Sequence, residues 1–595
     1  RERPSTESGD MIHSITSDLD SFKSLTFGQG LNIVLAEKGA EATDRQTRNG
    51  AGKSSFVELV HFIFGSNADK KSIFRSDTLT PHTFEIQADI GGHVMTAARS
   101  GSKSSRIRIQ GETDHWPIKP DLDEKTGDLV LSQANWKLVL GSLFFNLPTN
   151  EDAKARFGPT FRSLFSYFAR RQGSGAFVQP TQQSGQQQNW DQQVAISYLL
   201  GLDASISQQF QETRDQEKAM KELRKAAKQG SLGDFYGSSA QFRTRLTVAQ
   251  GKADRLRQLI ATFNVVPEYT ALEKEASEIT RAISTMNNDN LIDRDLILQL
   301  AKALESEEPP AISNVEKVYK EAGVVLPGTV GKRFDEVSAF HEAIVRNRKA
   351  HLMGEISSAE KRIEERNEER AELDRRRQEI MGILKSGGAL DHYTKLQEEL
   401  GRSEADVEAL RQQLEIAERI ESTQVQLDIE RARLQQALQS DLHERSGIVE
   451  EAILVFENLS NALYEQAGNL EIGATDNGPT FDVTIDAQRS KGINNMQIFC
   501  FDLMLSELAT KRGLGPGFLI HDSHLFDGVD ERQVAKALQL GAEHAERVGF
   551  QYIVTMNSDA LPQDGFQDDF DVWKHVNPTR LFDEEETGGL FGVRF

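Results

Sequence analysis

The rhythm of apolar and polar positions changes twice along this chain. Residues 11–15 and 22–27 alternate apolar and polar and predict strands leading into 31–35, a short, largely apolar run that reads as a buried strand. Residues 56–64 carry helical spacing. Residues 83–90, 94–99 and 106–110 predict an antiparallel meander with glycine turns at Gly91-Gly92 and Gly101. Helices are predicted over 135–146 and 160–171, and the Gln-rich stretch 179–193 predicts an exposed loop.

From about Ala204 the apolar positions become sparse and heptad-like among charged and Gln residues. Leu352, Ile356, Ala359 and Ile363 follow a helical seam, Leu400, Val407 and Leu414 recur with Leu410 and Ala417 beside them, and Ile420, Leu427 and Leu434 resume after a phase slip. Pro309-Pro310 and the segment 324–331 break the seam, so the coil is expected to fold back on itself, with its turn within 305–340 and a second bend at Gly387-Gly388. Short runs return near Ser446: strands at 470–472 and 481–485, a helix over 497–508, a strand at 517–521, a helix over 531–547 and strands at 552–555 and 588–595. The pattern divides the chain into an N-terminal lobe 1–203, a first coiled arm 204–304, a turn 305–340, a returning arm 341–446 and a C-terminal lobe 447–595.

Chemistry enters after the first buried strand, where Thr47-Arg48-Asn49-Gly50-Ala51-Gly52-Lys53-Ser54-Ser55 precedes a helix. Strand, Gly-rich loop, helix is the order of a phosphate-binding loop, although its first glycine position holds Thr47. Gly50 and Gly52 let backbone N–H groups curl around an anion, Lys53 reaches the β- and γ-phosphates, and Ser54 ligates Mg²⁺. Asn49, Ala51 and Ser55 complete the cradle. The strand at 517–521 ends in Asp522, the placement of a magnesium-holding carboxylate. Lys53 and Asp522 lie near opposite chain ends, so one head built from both ends, with an antiparallel coil inserted between them, is the simplest fold: α/β, a P-loop ATPase head plus arm.

The net charge of -22 makes the chain unlike a generically basic nucleic-acid coat. Its single cysteine, Cys500, excludes a disulfide scaffold, a cysteine zinc site and a paired-cysteine hook, and suits a reducing cytoplasm. No apolar run reaches the ~20 residues of a membrane span, no signal peptide is expected at the start, and residues 1–10 read as a loose tail.

On these motifs the chain resembles SMC-like ABC ATPases, and more narrowly the coiled-coil ATPases of bacterial ABC-three-component conflict systems. The similarity lies in 48–54, in Ser490-Lys491-Gly492-Ile493, in Phe499-Cys500-Phe501-Asp502, in His521-Asp522-Ser523 and in 590–595. The resemblance implies ATP and Mg²⁺ as cofactors, Ser490, Lys491 and Gly492 as a signature facing the nucleotide of a second copy, and Gln172 or Gln179 as the magnesium-sensing glutamine. Asp530 would correspond to the aspartate of the loop crossing the dimer interface. Two positions depart from the pattern: Ser523 stands where a catalytic Glu is usual, and Asn557 where a switch His is usual. His521, His524 or Asp527 could take over the base's role, His524 best, because imidazole titrates near neutrality.

The resulting expectation is a slowly hydrolysing head that dimerises on ATP and senses double-stranded DNA within an anti-phage assembly containing a separate effector or middle component. Arg99, Lys103, Arg106, Arg108, Arg162, Arg170 and Arg171 are its candidate phosphate contacts. Two alternatives stand beside it: a scaffold that recruits an effector without binding DNA, and a DNA-repair ATPase. A coil of about 100 residues a side reaches only about 150 Å, short for the latter.

Overall fold

The computed structural model describes residues 10–37, 53–69, 72–150, 155–228, 237–263, 267–306, 329–384, 390–464, 468–485, 491–567, 570–582 and 588–593. Asn49, Gly50, Ala51, Gly52, Ser490, Gly387-Gly388 and most of the expected coil turn lie outside the described residues. The chain forms two units, one comprising Arg1–Arg214, Asn314–Asp335 and Arg431–Phe595, the other Asp215–Ser313 and Glu336–Glu430.

The first unit is built on a parallel sheet whose strands come from both ends of the sequence. Strand β1 (Leu31–Glu37) pairs in parallel with β2 (Gln551–Asn557), Ile553 facing Asn32 and Thr555 facing Val34, and β2 pairs in parallel with β3 (Phe518–His521). The short strand Leu581–Phe582 adds to the other edge of β1. Ile33, Val34 and Leu35 are buried, as a central strand covered on both faces requires. The Gln551 side chain accepts from the backbone of Ile12 at 3.0 Å and donates back to it at 2.9 Å, tying the two chain ends together. Gly517, at φ +76, sits where a Cβ would meet the Asp10 carbonyl at 2.0 Å, so only glycine fits.

A second, seven-stranded sheet contains the expected meander Thr83–Asp89, Val94–Ser100 and Arg106–Gln110. Helix α1 (Lys53–Ile63) buries Phe56, Leu59, Val60, Phe62 and Ile63 in the core shared with both sheets. Helix α2 (Lys491–Lys511) is buried over 498–505, where every residue except Asp502 is apolar.

Four expectations are corrected. The helix foreseen over 160–171 is only Phe161–Phe165, because the chain then turns to bridge Ala169 to Ile520. The stretch 179–193 is not all loop: helix Asn189–Leu200 begins within it, and Gln193 is buried donating to the Asn477 and Pro479 carbonyls. Of 22–27 only Leu25–Thr26 is strand. Within 588–593 the chain turns instead of forming an edge strand, and Phe591 enters an aromatic cluster with Phe22, Phe74 and Phe84.

The second unit is a set of long helices, Ser239–Ala261, Pro267–Ser306, Thr329–Leu384 and Leu390–Glu444; Thr329–Leu384 begins in the first unit and Leu390–Glu444 ends in it. Cross-helix pairs run in opposite senses: Arg243 with Glu418, Arg257 with Glu404, Glu275 with Arg376, Asn290 with Asn367. These pairs establish an antiparallel coil. Its seam is apolar at Phe242, Leu246, Leu410 and Ala417, and polar where Asp293 receives Arg362 at 2.6 Å and Arg366 at 2.7 Å.

Candidate functional site

Three remote segments meet at the N-terminus of α1. Ser54 Oγ lies 2.7 Å from Asp522 Oδ2 and 3.2 Å from Gln172 Oε1. Asp522 is buried at the end of β3, where its Oδ1 accepts from Ser523 Oγ at 3.1 Å and from Thr555 Oγ1 at 3.2 Å. One hydroxyl proton serves only one acceptor, so Ser54, Asp522 and Gln172 turn more oxygen lone pairs than protons toward one point. An all-oxygen set containing one carboxylate matches the preference of a small hard divalent cation, so these residues fit Mg²⁺. Lys53, buried beside them, donates to Asn557 Oδ1, the residue at the expected switch position. Ser55 follows on α1, half-buried.

The structure separates the two candidate glutamines. Gln172 reaches Ser54, whereas Gln179 is exposed and its carbonyl belongs to the segment wrapped around Arg170, 3.5 Å from Nη1. Arg170 also donates to the Ala176 and Gln182 carbonyls, each at 2.8 Å. It forms a fully buried fork with Asp502 of α2, at 2.6 and 2.7 Å. That fork fixes the segment beginning at Gln172 against α2.

Around Asp522 a chain of contacts leads to the start of α2. His524 Nδ1 is 2.9 Å from Asp527 Oδ2 and 3.4 Å from Gln172 Nε2. The shorter contact to a carboxylate assigns the Nδ1 proton toward Asp527 and leaves Nε2 as the basic nitrogen. Lys491 Nζ is 3.4 Å from the same Asp527 oxygen, and Phe177 stands edge-on to the His524 ring with centroids 5.4 Å apart. Gly492 packs so closely that a Cβ would meet the Gly528 carbonyl at 2.4 Å. Asn495 donates to the His524 and Asp527 carbonyls at 3.1 and 3.2 Å, clamping the turn 523–528 onto α2.

Three other residues singled out in the sequence are engaged in structural contacts. His521 points into the core, between Tyr552 at 3.0 Å and Asp502 at 3.2 Å, and burial lowers its pKa. Ser523 offers a hydroxyl already donated to Asp522. Asp530 caps the helix Glu531–Val548 by accepting from Arg532 N at 3.0 Å.

The basic residues foreseen as a phosphate-contacting patch are mostly engaged elsewhere. Arg99 is buried over the Phe62 ring and donates to carbonyls of Phe62, Ser66 and Ser104. Arg170 is buried in its fork with Asp502. Arg162 donates to His61 Nδ1 at 2.7 Å, Arg171 pairs with Glu58, Arg106 with Asp123 and Arg108 with Glu85. A strand-rich sequence alternates its side chains, and here Arg99 faces inward where its guanidinium satisfies backbone carbonyls. Lys103 remains exposed. Thr555 and Asn495 were not foreseen; one is a hydroxyl within an apolar strand, the other a polar residue on a helix, and neither stands in a motif.

Among comparisons with known proteins, residues 295–421 match the model for C-terminal domain 10 of the ABC-three component (ABC-3C) systems. Residues 459–595 match a family described as an uncharacterised protein conserved in bacteria (DUF2326). The chain is 22% identical over 575 residues to the uncharacterized protein YydD of Bacillus subtilis (strain 168), covering 91% of each. Among solved structures, the Smc head domain with a coiled coil and joint from Pyrococcus yayanosii is similar at 13% identity and TM-score 0.33, over 98% of this chain and 96% of that one. The recombination mediator protein RecF with ATP is similar at 9% identity and TM-score 0.27, over 98% and 97%. Among the described residues, no helix is long and apolar enough to cross a membrane.

Proposed function

Taking as premise an SMC-like ABC ATPase fold that carries an ABC-three-component domain, we propose that the chain is the ATP-binding component of such a system in the cytoplasm. The observation that carries this reading is the convergence of Ser54, Gln172 and Asp522 on one point beside Lys53. Lys53 and the N-terminus of α1 hold the phosphates, with Asn49, Gly50, Ala51, Gly52 and Ser55 completing the cradle. Ser54, Asp522 and Gln172 hold Mg²⁺. Bound magnesium would neutralise charge on the phosphate oxygens. Two copies close on two nucleotides, each presenting Ser490, Lys491 and Gly492 to the other's γ-phosphate.

Hydrolysis is slow, because no carboxylate follows Asp522. His524 accepts the proton of the attacking water at Nε2, and Asp527 holds the ring in that tautomer. Purified chain should turn over ATP slowly, with no turnover in Lys53→Ala. His524→Ala should reduce the rate by about 10²–10⁴-fold. Unchanged turnover in His524→Ala would remove the histidine from the chemistry.

What the closed heads act on has two readings. A DNA-sensing clamp in an anti-phage assembly is the first. A scaffold that controls a separate effector is the second, and the internal pairing of Arg106, Arg108 and Arg171 together with the burial of Arg99 and Arg170 favours it. Retention of labelled duplex DNA, with and without ATP and across a salt series, distinguishes them: steep salt-dependent retention that needs ATP supports the clamp, and negligible retention in both states supports the scaffold.

A further inference from the structure

Away from the phosphate loop, the first unit holds a cavity of about 920 Å³. Leu138, Leu147, Phe161 and Leu202 supply apolar wall, and Lys137 and Arg162 supply positive charge. Two other charged residues on the lining are already satisfied. Arg445 pairs with Asp441 at 2.7 Å and donates to the Gly201 carbonyl. Asp203 accepts from the backbone and side chain of Ser205.

Lys137 and Arg162 are different. Among the described residues no carboxylate pairs with either. The side-chain partner of Arg162 is His61 Nδ1 at 2.7 Å, and its Nη1 is buried without a hydrogen-bond partner. His61 is held neutral, by burial first and then by Arg162 and Arg171, and donates from Nε2 to the Ala169 carbonyl at 2.6 Å. Glu58, the acid whose charge acts on Arg162, is already engaged by the guanidinium of Arg171. Lys137 is desolvated beside Arg162 and Arg99, and burial followed by those two neighbours lowers its pKa. Partly dehydrated cations that repel each other without a counter-charge are costly, and an anion beside them would relieve that cost. A cavity of this size with apolar walls and a few convergent polar groups has the character of a small-molecule site.

We propose that this cavity binds a small organic anion, its acid group against Lys137 and Arg162 and its apolar body against Leu138, Leu147 and Leu202. The site adjoins the ATPase machinery through one hydrogen bond, since Arg162 contacts His61 of α1. Occupancy would therefore be felt at the helix that follows the phosphate loop.

The test uses the full chain and two fluorescent probes of similar shape, anionic anilinonaphthalenesulfonate and neutral phenylnaphthylamine. The expected result is saturable binding of one sulfonate per chain. Lys137→Gln should weaken it by roughly tenfold or more, as loss of a charged hydrogen bond implies, and Lys137→Arg should restore it. The neutral probe should bind Lys137→Gln and wild type alike. Ala134→Trp, which adds bulk at the cavity lining one helical turn before Lys137, should abolish binding of both probes. Lys53→Ala should leave all of this unchanged. Equal sulfonate affinity in wild type, Lys137→Gln and Ala134→Trp would overturn the proposal, as would loss of binding in Lys53→Ala.

Discussion

Asp502 accepts a two-pronged bond from Arg170 and a third contact from His521, all without access to water. Removing one partner of such a pair leaves a buried charge uncompensated, which costs about 3–5 kcal/mol. Asp502→Asn is therefore expected to lower stability by about that amount, read as a drop in denaturation midpoint, and to loosen the segment after Arg170, read as faster proteolysis at 172–188. A cost under about 1 kcal/mol would show that the charge is not needed there. Histidines set a separate pH response. Burial, opposed by the Glu507 carboxylate, pushes His544 down to about 4, and burial also holds His61 well below its ordinary value. Both are depressed relative to an unfolded value of about 6.5, so the folded state binds fewer protons. Their contribution is fully present above about pH 6.5 and is lost as pH falls toward the folded values. Melting temperature should be level between about pH 7 and 8 and decline from about pH 6.5 downward, and His544→Gln should flatten part of that decline.

At the scale of elements, α2 and the turn 523–528 behave as one piece. Gly492 brings the helix against the Gly528 carbonyl, Asn495 bonds two carbonyls of the turn, and Lys491 meets Asp527. Gly492→Ala places a methyl 2.4 Å from a backbone oxygen, a contact that a flexible side chain cannot absorb. Overpacking of this kind costs about 1–3 kcal/mol. The expected outcome is a lower melting temperature together with an ATP turnover loss as large as that of His524→Ala, because the turn carrying His524 shifts. Wild-type turnover in Gly492→Ala would show that the turn moves independently of the helix. The element boundaries also show where periodicity misleads. Residues 160–171 have helical spacing, yet only Phe161–Phe165 is helix, since Ala169 must reach Ile520.

For the whole molecule, the central fact is that β1 lies between strands from the far end of the chain. Residues 1–214 alone lack β2 and β3, so β1 would expose its ladder and its apolar faces to water. That fragment is expected to be aggregated or unfolded by circular dichroism, and co-expression with 431–595 should recover a folded complex that elutes as one species. A folded, monomeric 1–214 would contradict a head held together by this sheet.

Local patterning determined much here, because it is written in neighbouring residues. The strand at 31–35, the meander at 83–110, the helix after Lys53, the antiparallel coil and the strand ending at Asp522 follow from apolar period, β-branching and charge. Motif chemistry likewise pointed to Ser54 and Asp522, which the structure brings within 2.7 Å. Other features depend on residues far apart in the chain, and only the tertiary structure decided them. It placed Gln172 against Ser54, turned His521 inward, placed Thr555 against Asp522, and buried Arg99 and Arg170 where charge alone suggested a surface. The physical reason is that a side chain's charge is fixed by its covalent chemistry, whereas its partner and its access to water are set by segments hundreds of residues away.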